Sequence, residues 1–159
     1  MQSVLESQPK SVLFLCQGNA CRSPFAAAVF DAELAKRGID GIRVESAGLV
    51  APGRPSPPQA IHEAQRRGVD LSAHRSRIVT TRLIRSVELA IVMSPEQART
   101  VLRVTGTKPA RVILLGDLDP ESTHGRTIVD PMGGPDTLFV ESFDRVERCV
   151  RELAAVIVA

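Results

Sequence analysis

The stretch SVLFLCQGNACRSP (11–24) constrains the fold more than any other part of the chain. SVLFLC is a short apolar run of the buried-strand type. It stops at a turn containing Gly18, and Ser23 with Pro24 read as the N-cap and first position of a helix. A strand passing through a tight loop into a helix opens a parallel βα unit. The rest of the chain repeats the alternation. Ala26, Phe30 and Leu34 recur every four residues up to Gly38, where a helix should end. Residues 42–46 read as a second strand, 48–58 as a proline-rich loop and 60–68 as a helix closed by Gly68. After an irregular stretch come a strand at 87–93, a helix at 95–104 opened by a proline, and a strand at 111–115. Residues 116–135 are rich in turn formers. Phe139, Phe143, Val146, Val150, Leu153 and Ile157 then mark one face of a final helix. The pattern predicts a three-layer α/β/α fold with a four-stranded parallel sheet and right-handed crossovers. The loop between strand 1 and helix 1 would lie at the carboxyl end of the sheet, where such folds bind ligands.

Length and composition fit one domain over 1–159, with residues 1–10 as a loose N-terminal extension. Residues 1–10 lack the apolar core of a signal peptide, and no run approaches the roughly 18 apolar residues that span a bilayer. The net charge is +2, and the arginines are scattered; lysine occurs only at 10, 36 and 108. No nucleic-acid partner and no membrane partner is therefore expected. Three cysteines without a CxxC spacing argue against a disulfide scaffold or a zinc site and for a reducing, cytoplasmic setting. Oligomeric state leaves no signal.

The loop residues carry the chemistry. Backbone N–H groups turned inward at a helix N-terminus form a nest for an anion. Gly18 lets the backbone curl, and the guanidinium of Arg22 can hold two phosphate oxygens at once. The field that welcomes a phosphate also favours thiolate over thiol, which makes Cys16 a candidate nucleophile toward phosphorus. Such a route needs an acid for the leaving group, on a loop able to close over the bowl. Asp130, in IVDPMGGP, fits; on the residues alone Asp117, Asp119, Glu121 and Asp136 compete with it.

CQGNACRSP (16–24), SAG (46–48), RGVDLSAHRSR (67–77) and DP (130–131), in that order, resemble the low-molecular-weight protein-tyrosine phosphatase family over about residues 10–158. The resemblance implies a phosphomonoester hydrolase acting through a phosphocysteine. Cys16 would be the nucleophile, Arg22 the phosphate clamp and Asp130 the acid, later the activator of water. Residues Gln17, Gly18, Asn19, Ala20, Cys21, Arg22 and Ser23 would bind the phosphate, with the Ser23 hydroxyl steadying the thiolate. Asn19 would shape the loop through Ser46 and His74. Cys21 matches a second loop cysteine able to trap oxidised Cys16 as a disulfide. No metal or cofactor is implied, and the partner is a phosphorylated protein or a small phosphoester. His62 and His124 match nothing and read as solvent-facing, and Cys149 as a packed thiol.

Three departures bear on the substrate. Met132 and Gly133 stand where an aromatic wall usually follows DP, and Leu49, Val50 and Ala51 where another bulky wall is common. Leu49, Val50 and Met132 are then the expected substrate wall. With 3% aromatic residues and neither Tyr nor Trp, little selectivity for aryl phosphates is expected. Ala20 replaces both the branched apolar residue of tyrosine-directed members and the threonine of arginine-phosphate-directed ones. That keeps a protein-arginine phosphatase open as the alternative. Ser94 replaces a common acidic residue that helps orient the loop. An arsenate reductase would need two further cysteines in the middle of the chain, and residues 50–148 have none. A non-catalytic phosphate-binding module would have no use for a nucleophile.

Overall fold

The computed structural model describes residues 7–106, 111–121 and 125–158. Four parallel strands, β1 (Ser11–Cys16), β2 (Arg43–Gly48), β3 (Leu89–Val92) and β4 (Arg111–Leu114), form one sheet in the order β2-β1-β3-β4. The helices are α1 (Arg22–Lys36), α2 (Pro58–Arg66), α3 (Thr81–Ser86), α4 (Pro95–Thr105) and α5 (Asp136–Val158). A 3-10 turn at Leu115–Leu118 follows β4.

Side chains of β1 alternate between two cores, as the pleat requires. Val12, Phe14 and Cys16 join α1, α2 and α5 in the larger core. Leu13 and Leu15 join Ile84 and Val101, on α3 and α4, in the smaller. That is the three-layer arrangement expected. Phe25 of α1 stacks on Phe143 of α5 at 4.2 Å, and Phe14 meets Phe30 edge-on.

Strand order reverses at β1, which has β2 on one side and β3 on the other. The crevice beyond its carboxyl end is the site such a sheet offers a ligand. Several elements differ from the sequence reading. α3 was unforeseen: six residues are too few for an apolar repeat, and Ile84 is its only buried side chain. Thr80 caps it, accepting from the Leu83 N–H at 3.1 Å. Ser23 is not the cap of α1. The helix begins at Arg22, and no side chain caps it. Ser94 is a cap, accepting from Gln97 N–H, while the Gln97 side chain accepts from Met93 N–H. Residues 7–10 are tied to the body: Pro9 is buried, and Lys10 N–H donates to Glu88 at 2.8 Å. Residues 1–6 and His124 lie outside the described residues. Among the described residues no helix is long and apolar enough to cross a membrane.

Candidate active site

Cys16 closes β1, and the chain turns at once around its sulfur. Asn19 N–H donates to Sγ at 3.2 Å, and Ser23 Oγ lies 3.0 Å from it. Asn19 Nδ2 donates to Ser23 Oγ at 2.8 Å. With that oxygen accepting, the hydroxyl proton of Ser23 is free to point at the sulfur. An N–H and a hydroxyl therefore converge on one buried sulfur. This contact is why Ser23 does not cap the helix.

Asn19 is the hub of the loop. It is wholly buried and adopts φ +51°, a left-handed conformation that asparagine tolerates better than most residues. Its Nδ2 also donates to Ser46 Oγ at 2.9 Å, and its Oδ1 accepts from Arg77 N–H at 3.0 Å. Its carbonyl lies 2.6 Å from His74 Nε2. A carbonyl only accepts, so this ring nitrogen carries the proton. Every polar group of Asn19 is thus committed. Ser46 lies on β2 and His74 in the loop after α2. Arg77, which the sequence reading did not single out, contributes through its backbone.

Gly48, paired with Cys16 in the sheet, permits this packing. A Cβ built there would lie 2.9 Å from the Asn19 backbone nitrogen and 3.0 Å from the Gly18 carbonyl carbon. Gln17 is exposed, and its carbonyl accepts from Leu49 and Val50 N–H. Ala20 and Cys21 are buried. Burial, then the charges of Asp130 and Cys16, push the Cys21 thiol up to about 12 against the pull of Arg22. Cys16, Cys21 and Cys149 are all free thiols.

Arg22 spans from the bowl to the acid loop. Its side chain is buried, Nη1 donates to Ile128 O at 2.8 Å, and Nη2 lies 3.4 Å from Asp130 Oδ2. Among the described residues its buried Nε has no hydrogen-bond partner. Asp130 is half exposed, and its Oδ1 accepts from Met132 N–H at 3.1 Å. Its rivals lie elsewhere: Asp119 pairs with Arg145 and Arg148, Asp117 with Arg126, Glu121 with Arg148, and Asp136 with Gln59.

Of the expected wall, Leu49 lies just past β2, half-buried and packed against the smaller core. Val50 and Met132 remain at the surface, 43% and 50% exposed. All five phenylalanines are buried, so none walls the site. Ser94 caps α4 and lines a cavity with Arg22 and Asp130, and Ile128 N–H donates to the carbonyl of Met93, just past β3, at 2.9 Å.

A sulfur met by an N–H and a hydroxyl, a clamped arginine and a carboxyl group beyond it are the parts of a cysteine-dependent phosphatase. The pattern that describes the low molecular weight phosphotyrosine protein phosphatases matches residues 11–159. A probable low molecular weight protein-tyrosine-phosphatase of Ralstonia nicotianae is 32% identical over 142 residues, covering 89% of this chain and 91% of that one. A protein-arginine-phosphatase of Bacillus subtilis is 30% identical over 144 residues, covering 90% and 93%. Among solved structures, an arginine phosphatase mutant with a phosphorylated active-site serine superposes with a TM-score of 0.81 at 27% identity, covering 91% of this chain and 93% of that one. The tyrosine phosphatase of Escherichia coli K30 with bound sulphate shares the fold at a TM-score of 0.80 and 24% identity, over 92% and 97%. The chain belongs to the low molecular weight phosphotyrosine protein phosphatase family.

Proposed function

We propose that this chain hydrolyses phosphate esters on protein side chains in two steps, with Cys16, Arg22 and Asp130 as its working groups. The phosphate settles on the N–H groups of residues 17–23 and on the guanidinium of Arg22. The Cys16 sulfur forms a bond to phosphorus as the ester P–O bond breaks, and the Asp130 carboxyl passes its proton to the departing oxygen. Water then attacks the phosphocysteine and Asp130 takes a proton back. The S–P bond breaks, inorganic phosphate leaves and the thiolate is restored. The observation that carries this reading is the single sulfur that receives Asn19 N–H and faces Ser23 Oγ, with Arg22 joining it to Asp130. Three separate thiols and the absence of a membrane-spanning helix among the described residues support a cytoplasmic setting.

The test is turnover of p-nitrophenyl phosphate by the wild type, Cys16→Ser and Asp130→Ala. Cys16→Ser should abolish it, and Asp130→Ala should slow it by roughly 10²-fold or more. Activity surviving in Cys16→Ser would end the proposal. A second reading, phosphoarginine as substrate, is favoured by a rim of Val50 and Met132 in place of aromatic rings. Turnover of phosphotyrosine, phosphoarginine and phosphoserine peptides separates the two.

A further inference from the structure

The acid loop is not a free flap. Four consecutive residues, 127 to 130, are each fastened from behind or beside. Thr127 O accepts from Arg145 Nη1 at 2.7 Å. Ile128 accepts at its carbonyl from Arg22 and donates its N–H to Met93. Val129 O accepts from Ser142 Oγ at 3.0 Å. Asp130 is then braced by Arg22 and by the Met132 N–H. Downstream, Gln59 Nε2 donates to Gly134 O at 3.2 Å and to Asp136 at 2.6 Å.

Two of these anchors lie on α5, away from the bowl. Arg145 is only 7% exposed. Besides Thr127 O it binds Asp119 at 2.8 Å and the carbonyl of Gly125, and its Nη2 approaches Gly116 O at 3.5 Å. One buried guanidinium thus collects the segment that leads from β4 to the acid. Its charge is matched by Asp119, whose side chain is 1% exposed against 8% for that of Arg145. Gly116 leaves room for this: a Cβ there would meet Arg126 O at 2.2 Å and Arg145 Nη2 at 3.1 Å. A lysine could keep the ion pair with Asp119 but has no planar fork with which to reach several carbonyls at once.

We infer that Arg145 and Ser142 are positioning residues for proton transfer: they hold the Thr127–Val129 backbone so that Asp130 stands ready at the leaving-group oxygen before substrate arrives. This rests on the proposal that Asp130 is the acid. Neither residue touches the substrate, so their effect should follow the leaving group's need for a proton. A poor leaving group depends on that proton far more than a good one does.

The experiment measures kcat/KM, which covers the steps through formation of phosphocysteine. It compares p-nitrophenyl phosphate with phenyl phosphate in wild type, Ser142→Ala, Arg145→Lys and Asp130→Ala. Ser142→Ala removes one hydroxyl and decides the matter if Arg145→Lys does not fold. The expected result is a loss on phenyl phosphate of roughly tenfold to a hundredfold, with a much smaller loss on p-nitrophenyl phosphate. Competitive inhibition by inorganic phosphate should persist, since the bowl is untouched. Equal losses on both substrates, or none, alongside a leaving-group-dependent loss in Asp130→Ala, would overturn the inference alone. If Asp130→Ala itself shows no dependence on the leaving group, the assignment of the acid falls, and this inference with it.

Discussion

Replacing Gly48 by alanine adds a methyl group at the tightest point of the bowl. The new Cβ would stand 2.9 Å from both the backbone nitrogen and Cβ of Asn19, and 3.0 Å from the Gly18 carbonyl carbon. Its closest carbon contact is therefore roughly 0.6 Å inside the ~3.5 Å at which carbon atoms begin to sit comfortably. The neighbours are backbone atoms and a Cβ, so no flexible side chain can swing away. Nor can Gly48 retreat. It is paired with Cys16 on one side, and on the other it donates to Arg77 O and accepts from Val79 N–H, each at 2.8 Å. Asn19 must yield, and Asn19 N–H is one of the two groups at the Cys16 sulfur.

Overpacking of this kind costs about 1–3 kcal/mol of stability. Moving the bowl by half an ångström or more should cost on the order of 10²-fold in turnover. The assay is kcat/KM on p-nitrophenyl phosphate with the inhibition constant for inorganic phosphate, both read beside the thermal midpoint. Ser46→Ala is the control. It removes one acceptor of Asn19 Nδ2 without any overlap and should cost about 1 kcal/mol or less. Gly48→Ala with wild-type turnover and phosphate inhibition would refute the reasoning, because the loop would then have room the geometry denies it.

Other outcomes follow from the same packing. Iodoacetate at neutral pH should label Cys16 and spare Cys21, whose thiol burial pushes up to about 12; peptide mass spectrometry finding carboxymethyl-Cys21 would contradict this. Burial alone would raise the Asp119 carboxyl, but hydrogen bonds from Arg148, Glu121 N–H and Arg145 hold it below its ordinary value of 3.8. The folded state then binds fewer protons there, so this contribution is complete above about pH 5 and is lost as pH falls below 3.8. Urea midpoints across that range should drop less steeply in Asp119→Asn than in wild type, and parallel slopes would count against the pairing. Phe25→Ala, which removes a fully buried ring stacked on Phe143, should lower stability by about 3–5 kcal/mol in urea titrations. Selectivity for phosphotyrosine over phosphoserine peptides should be modest, since no aromatic ring walls the site; a large ratio would show that Val50 and Met132 suffice.

The sheet was legible because β1, β3 and β4 are short, largely apolar runs and the first and last helices repeat their apolar residues at three and four positions. The bowl was legible because its residues are contiguous from Cys16 to Pro24, and the motif supplied Ser46 and His74. What stayed hidden depended on contacts between segments far apart in the chain. Ser23 carries the local signature of a helix cap, S before P, yet its hydroxyl serves a sulfur seven residues back. Arg145 lies between Phe143 and Val146 on α5, where a charged residue reads as solvent-facing; only the fold shows it buried against carbonyls 18 to 29 residues upstream.

With the proposed roles, the site divides into a nucleophile half and an acid half with separate supports. The nucleophile half hangs on β1 and β2, through the Cys16–Gly48 pairing and the bonds of Asn19 to Ser46, His74 and Arg77. The acid half hangs on α5 and β3, through Arg145, Ser142 and Met93. Arg22 spans the two, binding Ile128 O and Asp130 from the end of the phosphate loop. Damage to the first half should show as weaker phosphate binding and a less reactive sulfur. Damage to the second should show as a steeper dependence on the leaving group. Arg22 stands in both, so Arg22→Lys should lose phosphate affinity and acid alignment together. Arg22→Lys losing only one of the two would mean that the halves are joined by some path other than this guanidinium.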